Sequence, residues 1–281
     1  MDVSWQHTPT LNSAERLEVL NLINRTEFVL GREALDETRR RTVVHGWQGE
    51  HWLLHEDGQI VQYALVQGHK HATLEMCGGG FDEALLTLVL EIHEVVDWWT
   101  RDSDGSLSNV VRTLQLLHVN LPVPNVAVPE GAALRTFLAG FDESAWLEQN
   151  NSAFADHPEQ GAWLLDDLEA RIHEPWFDPS GFLILEIDGR IAASCWTKVH
   201  ELHPDRFGEI YVISVDPAFQ GHGLGRVMLA QGLASLRHKG VHRAVLFVDA
   251  DNASAQRLYR SFGFVLERED QLLRFTRANN A

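Results

Sequence analysis

The sequence predicts an α/β (α+β) protein of two similar halves, each a mixed central sheet flanked by helices. Three observations carry that expectation. First, residues 52–60 and 182–191 each hold two apolar, strand-like runs joined by Asp-Gly, the turn chemistry of a β-hairpin. Second, each hairpin follows amphipathic helical stretches and precedes a strand, a helix and another strand. Third, residues 121–129 hold three of the chain's nine prolines. That stretch cannot be helical and reads as an extended connection. The divisions are a first domain at 1–120, a linker at 121–130 and a second domain at 131–281, the economical reading being duplication.

In the first half, periodicity predicts helices over 13–26 and 33–43, then the hairpin. The loop region Leu74-Glu-Met-Cys-Gly-Gly-Gly-Phe-Asp-Glu83 follows. A helix over 82–99 would carry Asp82, Glu83, Glu91, Glu94 and Asp97. Acids in a first helical turn cap it and repel phosphate, so this half is expected to be a scaffold with a degenerate cofactor site. In the second half, helices are predicted over 143–154 and 161–173. After the hairpin, a strand over 208–215 ends at Asp216-Pro217, because proline lacks the N–H that a ladder needs. Then come the loop Gln220-Gly-His-Gly-Leu-Gly225, a helix, a strand over 244–248, and a helix that Asn252 caps and Gly263 ends.

Composition narrows the function. The net charge of −17 disfavours nucleic acid. No apolar run approaches the roughly 20 residues of a membrane span, and residues 1–16 lack the order of a signal peptide. Cys77 and Cys195 lie in apolar runs, as expected of buried thiols in the cytoplasm. His200 and His203 are the tightest histidine pair on a loop, but nothing completes a ligand set, so no metal is expected. The run 217–248 contains no Asp or Glu and carries Arg226, Arg237, Lys239 and Arg243. Such a break in an acidic chain points to a specific anionic ligand. The loop opening that run is a row of amides before a helix, a pyrophosphate cradle. It lacks the Lys-Ser/Thr of an ATP-binding P-loop.

The loop Gln220–Gly225 resembles the coenzyme A loop of the GNAT N-acetyltransferases, Gln/Arg-x-x-Gly-x-Gly/Ala. The run from Asn252 through Tyr259 to Phe264 resembles that family's last motif. The resemblance implies two tandem GNAT acyl-CoA N-acyltransferase domains, with acetyl-CoA as co-substrate. Ile213, Ser214 and Val215 would offer a strand edge to the pantetheine arm. Gln220, Gly221, His222, Gly223, Leu224, Gly225 and Arg226 would cradle the pyrophosphate, and Asn252 would also face the cofactor. Tyr259 would protonate the leaving thiolate. An ammonium acceptor must lose a proton first, and Glu209, on the strand leading into the loop, is the candidate base.

Further words in the second half are Asn150-Asn-Ser-Ala-Phe-Ala-Asp-His-Pro-Glu-Gln-Gly161, Trp176-Phe-Asp-Pro-Ser-Gly181, Trp196-Thr-Lys198 and Gly208-Glu-Ile-Tyr-Val212. Together they resemble the mycothiol synthase family, in the tandem-domain layout and over most of residues 145–264. That likeness implies acetylation of the cysteinyl amine of a cysteinyl-glucosaminyl-inositol. Glu33, Glu159 and Lys198 would bind that acceptor beside Glu209 and Tyr259, and a monomer is expected. Two alternatives remain at this level: an acetyltransferase for another small amine or a protein N-terminus, and a non-catalytic acyl-CoA sensor.

Overall fold

A computed structural model describes residues 4–30, 32–101, 108–155, 157, 161–201 and 206–277. The chain forms two compact units. One comprises Met1–Gln115 with Arg268–Ala281, and the other Leu116–Glu267.

The first unit begins with β1 (Trp5–Thr8), α1 (Ser13–Leu30) and α2 (Glu37–His45). Asn12 caps α1, accepting from the N–H groups of Ala14 and Glu15 while Glu15 accepts from the Asn12 N–H, a capping box. The expected helix at 33 starts instead at Glu37. Asp36 is the cap, its side chain accepting from Arg39 N–H at 2.7 Å, which leaves Glu33 in the preceding connection. Next come β2 (Glu50–Glu56), β3 (Gln59–Gly68) and β4 (His71–Cys77). The β2–β3 turn is the Asp57-Gly58 pair, both with positive φ, as a type I′ turn requires.

The predicted helix over 82–99 is two elements, α3 (Glu83–Ile92) and the strand β5 (Val95–Arg101). Asp97 is therefore no helix acid. It is 4% exposed on β5 and takes two 2.7 Å hydrogen bonds from Arg274. That arginine lies on β12 (Val265–Thr276), of which Asp270–Thr276 pair antiparallel with β5. The sheet order in this unit is β1-β2-β3-β4-β5-β12. Alternation along β3 serves two cores: Tyr63 and Leu65 face α1 and α2, Ala64 and Val66 face α3.

The second unit starts within β6 (Val110–Asn120), whose residues from Leu116 onward belong to it. It continues through β7 (Ala132–Thr136), α4 (Glu143–Ala153), α5 (Leu165–Ile172), β8 (Phe182–Ile187), β9 (Arg190–His200), β10 (Phe207–Val215), α6 (Leu224–His238), β11 (Arg243–Asp249) and α7 (Ala253–Arg260). Its sheet order is β6-β11-β10-β9-β8-β7. α5 is shorter than the predicted 161–173. Its first turn begins where Asp167 accepts from the Leu164 N–H at 2.9 Å. The proline-rich stretch is extended, as its prolines require, but it docks. Val123, Val126 and Val128 pack on the core, and Gln231 donates to the Val126 carbonyl at 2.9 Å.

Both faces of this sheet are covered. Trp146, Leu168, Phe182, Trp196 and Val212 pack on the α4–α5 side, and Cys195, Ile210, Met228, Leu233 and Leu246 on the α6 side. Gly232 lets α6 approach closely. A Cβ there would collide with the Cys195 sulfur and lie 3.2 Å from Ile210.

Candidate active site

The site is organised by an irregularity in β10. Its register against β9 shifts between Ile210 and Val212, so Tyr211 is the extra residue of a bulge. Bulges re-aim side chains. Here Ile210 joins the α6-side core while Tyr211 and Val212 both join the α4–α5 side. Glu209 stands directly opposite Lys198. Directly opposed residues share a face of the sheet, so carboxylate and ammonium lie on the face that carries Trp196. Glu209 is 9% exposed and Lys198 6%. The Lys198 ammonium sits 4.7 Å from the Trp176 ring centre and 5.6 Å from that of Tyr211. Arg171 of α5 donates to the Tyr211 hydroxyl at 3.0 Å. Three words that lie apart in the sequence, around Trp176, Trp196 and Tyr211, thus form one aromatic box around Lys198. Glu159 lies outside the described residues. Glu33 belongs to the first unit, where its carbonyl accepts from Arg101.

A residue not singled out as catalytic joins this face. His200 Nε2 lies 2.6 Å from Glu209 Oε2, and the imidazole stacks on Phe207 at 4.6 Å. The signal was available: on a strand, positions 198 and 200 share a face.

Past Glu209 the strands part. β10 and β11 pair in parallel at Gly208↔Ala244 and Glu209↔Val245, yet both strands run on, to Val215 and Asp249. Ile213, Ser214 and Val215 remain paired with β9 on their other side. The Ser214 hydroxyl is held inward, 2.9 Å from Ser194 and 3.0 Å from Gln149 Oε1, so only the backbone of this stretch is offered to the gap.

The loop after β10 ends at Gly223, which has φ +76° and open space where a Cβ would stand. No side chain among the described residues caps α6, and its first turn holds no acid. The amides of Leu224 and Gly225 are among those without an i−4 carbonyl, and they carry the positive end of the helix dipole. Gln220 turns back to donate to the Val215 carbonyl at 3.3 Å. Gly225 differs from the other loop glycines. It lies inside α6, where a Cβ would make ordinary contacts at 3.5 Å.

The basic run is divided by the fold. Arg226 stands at the loop, bonded to Ser261 at 2.8 Å. Arg237, Lys239 and Arg243 lie at the far end of α6, about 20 Å away at 1.5 Å per residue. There Lys239 pairs with Asp178 at 2.8 Å and Arg243 with Glu267. Only Arg226 of the four stands at the loop.

On α7, the Asn252 Oδ1 accepts from the Ala255 N–H at 3.0 Å and caps the helix. Tyr259 is 7% exposed, in the α6-side core, its ring 5.8 Å from Phe264. Burial holds its phenol well above the ordinary range, with the nearby Cys195 adding to the effect. It is therefore un-ionised at any ordinary pH.

The first unit has its own cleft of about 760 Å³ beside Gly78, Gly79 and Gly80, with Arg25, Arg32 and Arg101 among its lining. The helix that follows is capped, however. Asp82 accepts from the Leu85 N–H at 2.9 Å and from Trp5 Nε1 at 3.2 Å.

The chain as a whole resembles known proteins. The family model described as Acetyltransferase (GNAT) family matches residues 144–264. A mycothiol acetyltransferase of Streptomyces bingchenggensis is 36% identical over 98% of this chain and 96% of its own length. The chain belongs to the mycothiol acetyltransferase family. A further member, from Thermomonospora curvata, is 56% identical over 51% of this chain and 47% of its own. The fold is that of a solved tandem GNAT protein from the clavulanic acid biosynthesis pathway. That likeness has a TM-score of 0.69 at 13% identity and covers all of both chains.

Proposed function

We propose that the second unit transfers acetyl from acetyl-CoA to the cysteinyl amine of a cysteinyl-glucosaminyl-inositol, the acetylation that completes mycothiol. One observation carries the placement of the chemistry: an uncapped, acid-free helix N-terminus directly follows a strand that leaves its parallel neighbour just past a buried carboxylate. The residues fit acetyl-CoA. The amides of Gly221 to Gly225 would hold the pyrophosphate with the Arg226 side chain beside them, since the Arg226 N–H already donates to the Gly223 carbonyl, and the backbone of Ile213, Ser214 and Val215 would pair with the pantetheine amides. At α3 the Asp82 carboxylate takes the Leu85 N–H and sets a negative charge where a phosphate would lie, so we assign cofactor binding to the second unit alone.

Glu209 takes one proton from the acceptor's ammonium group, and the freed lone pair attacks the thioester carbonyl. Tyr259 gives its phenolic proton to the sulfur as the C–S bond breaks. The nitrogen sheds its remaining extra proton, the phenolate is reprotonated, and the net reaction releases one proton. Glu209 lies on the α4–α5 face and Tyr259 in the opposite core, so base and acid address the parted strands from two sides. Lys198, with three donors, would bind acceptor hydroxyls, together with Glu159. We place the reaction in the cytoplasm. Among the described residues no helix is long and apolar enough to cross a membrane.

The test is steady-state acetylation of the cysteinyl pseudodisaccharide beside free cysteine. Lys198→Ala should raise KM for the pseudodisaccharide alone, each lost charge-assisted bond being worth about 1.5–3 kcal/mol. Equal use of both acceptors, with a ratio that Lys198→Ala leaves unchanged, would replace this function with acetylation of small amines in general.

A further inference from the structure

We infer that His200 is a positioning residue for the base, holding Glu209 by one oxygen so that the other is presented to the acceptor's ammonium. The inference rests on Glu209 being the base. The two side chains meet at 2.6 Å, a short contact of the kind found when one partner is ionised. Both are nearly removed from water, at 8% and 9% exposure. A carboxylate only accepts, so the proton of this bond is on Nε2, and the partner thereby sets the imidazole tautomer. His200 is itself immobilised. It ends β9, sits opposite Phe207 in the register, and stacks on that ring at an interplanar angle of 11°.

The consequence is geometric. A glutamate side chain has three rotatable bonds, and a base 1 Å out of place loses much of its effect. Glu209 Oε2 is bonded to the imidazole, which leaves Oε1 as the oxygen to receive a proton. Lys198, directly across the strand pair, lies over the Trp176 and Tyr211 rings. Its cation faces the aromatic box, and the hydrogen bond that orients the carboxylate comes from His200.

Three variants test this: His200→Ala, His200→Gln and Glu209→Gln, with the double variant His200→Ala/Glu209→Gln. His200→Ala should lower kcat by roughly 10- to 100-fold, the range for a hydrogen bond to a charged group, with KM for acetyl-CoA unchanged. His200→Gln, which keeps an N–H donor on a side chain of similar reach, should recover most of the loss. In the Glu209→Gln background, His200→Ala should add less than about threefold, because residues acting through one another are not additive. Circular dichroism and the melting temperature identify any variant that fails to fold, and the Gln rescue is then decisive. A His200→Ala enzyme with normal kcat beside a crippled Glu209→Gln enzyme overturns the positioning role alone. A Glu209→Gln enzyme with normal kcat overturns the base itself. Equal losses in His200→Ala and His200→Gln, additive with Glu209→Gln, also overturn the inference and make His200 a packing residue.

Discussion

Gly223→Glu should abolish most acetyl-CoA binding while the protein stays folded, and the two halves of that outcome have separate causes. Gly223 has φ +76° with nothing within 4 Å of its would-be Cβ. A side chain therefore meets no neighbour, and the folded-state cost is the left-handed backbone alone, about 1–2 kcal/mol. In a unit of this size that lowers Tm by roughly 2–8 °C. The new carboxylate, however, stands where the amides of α6 would receive a pyrophosphate. Two unit charges about 4 Å apart repel by about 1 kcal/mol in water and about 4 kcal/mol near a protein surface, or roughly 5- to 1,000-fold in affinity. Titration calorimetry with acetyl-CoA, alongside thermal melting, measures both effects. Two equivalent sites on the unaltered chain, or unchanged affinity in a folded Gly223→Glu protein, would refute the placement of the cofactor at α6.

Tyr259→Phe should lower kcat by about 10- to 10,000-fold and leave acetyl-CoA affinity unchanged. Full turnover, with chemistry shown to be rate-limiting, would make Tyr259 a core residue only. Gly232→Ala should destabilise the protein. Alanine gains about 1 kcal/mol of helix propensity, but the collision with the Cys195 sulfur costs about 1–3 kcal/mol as overpacking. Urea denaturation would show a lower midpoint at unchanged slope, and a raised midpoint would contradict the packing. Burial pushes the Cys77 and Cys195 thiols up to about 12, whereas unfolded thiols ionise near 8.5. A folded value raised above the unfolded one contributes stability below the unfolded value and loses it as pH rises, so unfolding should ease progressively from about pH 8.5 toward 12. A thiol reagent at pH 8 should accordingly label neither cysteine until the chain unfolds. Rapid labelling of the native protein would show the burial to be wrong.

Much of the second unit was legible because its signals are local. Asp188-Gly189 makes a hairpin wherever it stands, proline ends a ladder, and Asn252 caps the residue three positions on. The motifs around Glu209, Gln220–Gly225 and Tyr259 are likewise short words whose spacing survives in the fold. What escaped depends on partners distant in sequence. Periodicity alone placed Asp97 on a helix, and Arg274, 177 residues later, together with His71 on the neighbouring strand, explains a buried aspartate on a strand. The basic run looked like one patch until the length of α6 carried three of its four cations away from the loop.

The sequence by itself determined the two-part α/β organisation, the hairpins, the glycine loop at the start of α6 and the kinship to the acetyltransferases. Each of these rests on chain-local geometry or on words preserved as written. Only the tertiary structure decided that residues 268–276 complete the sheet of the first unit, and that a bulge at Tyr211 sets Trp176, Lys198 and Tyr211 together on the face of Glu209. It also brought His200 to 2.6 Å from Glu209. Strand pairing and side-chain packing are set by which surfaces bury one another, and sequence spacing carries no record of that choice.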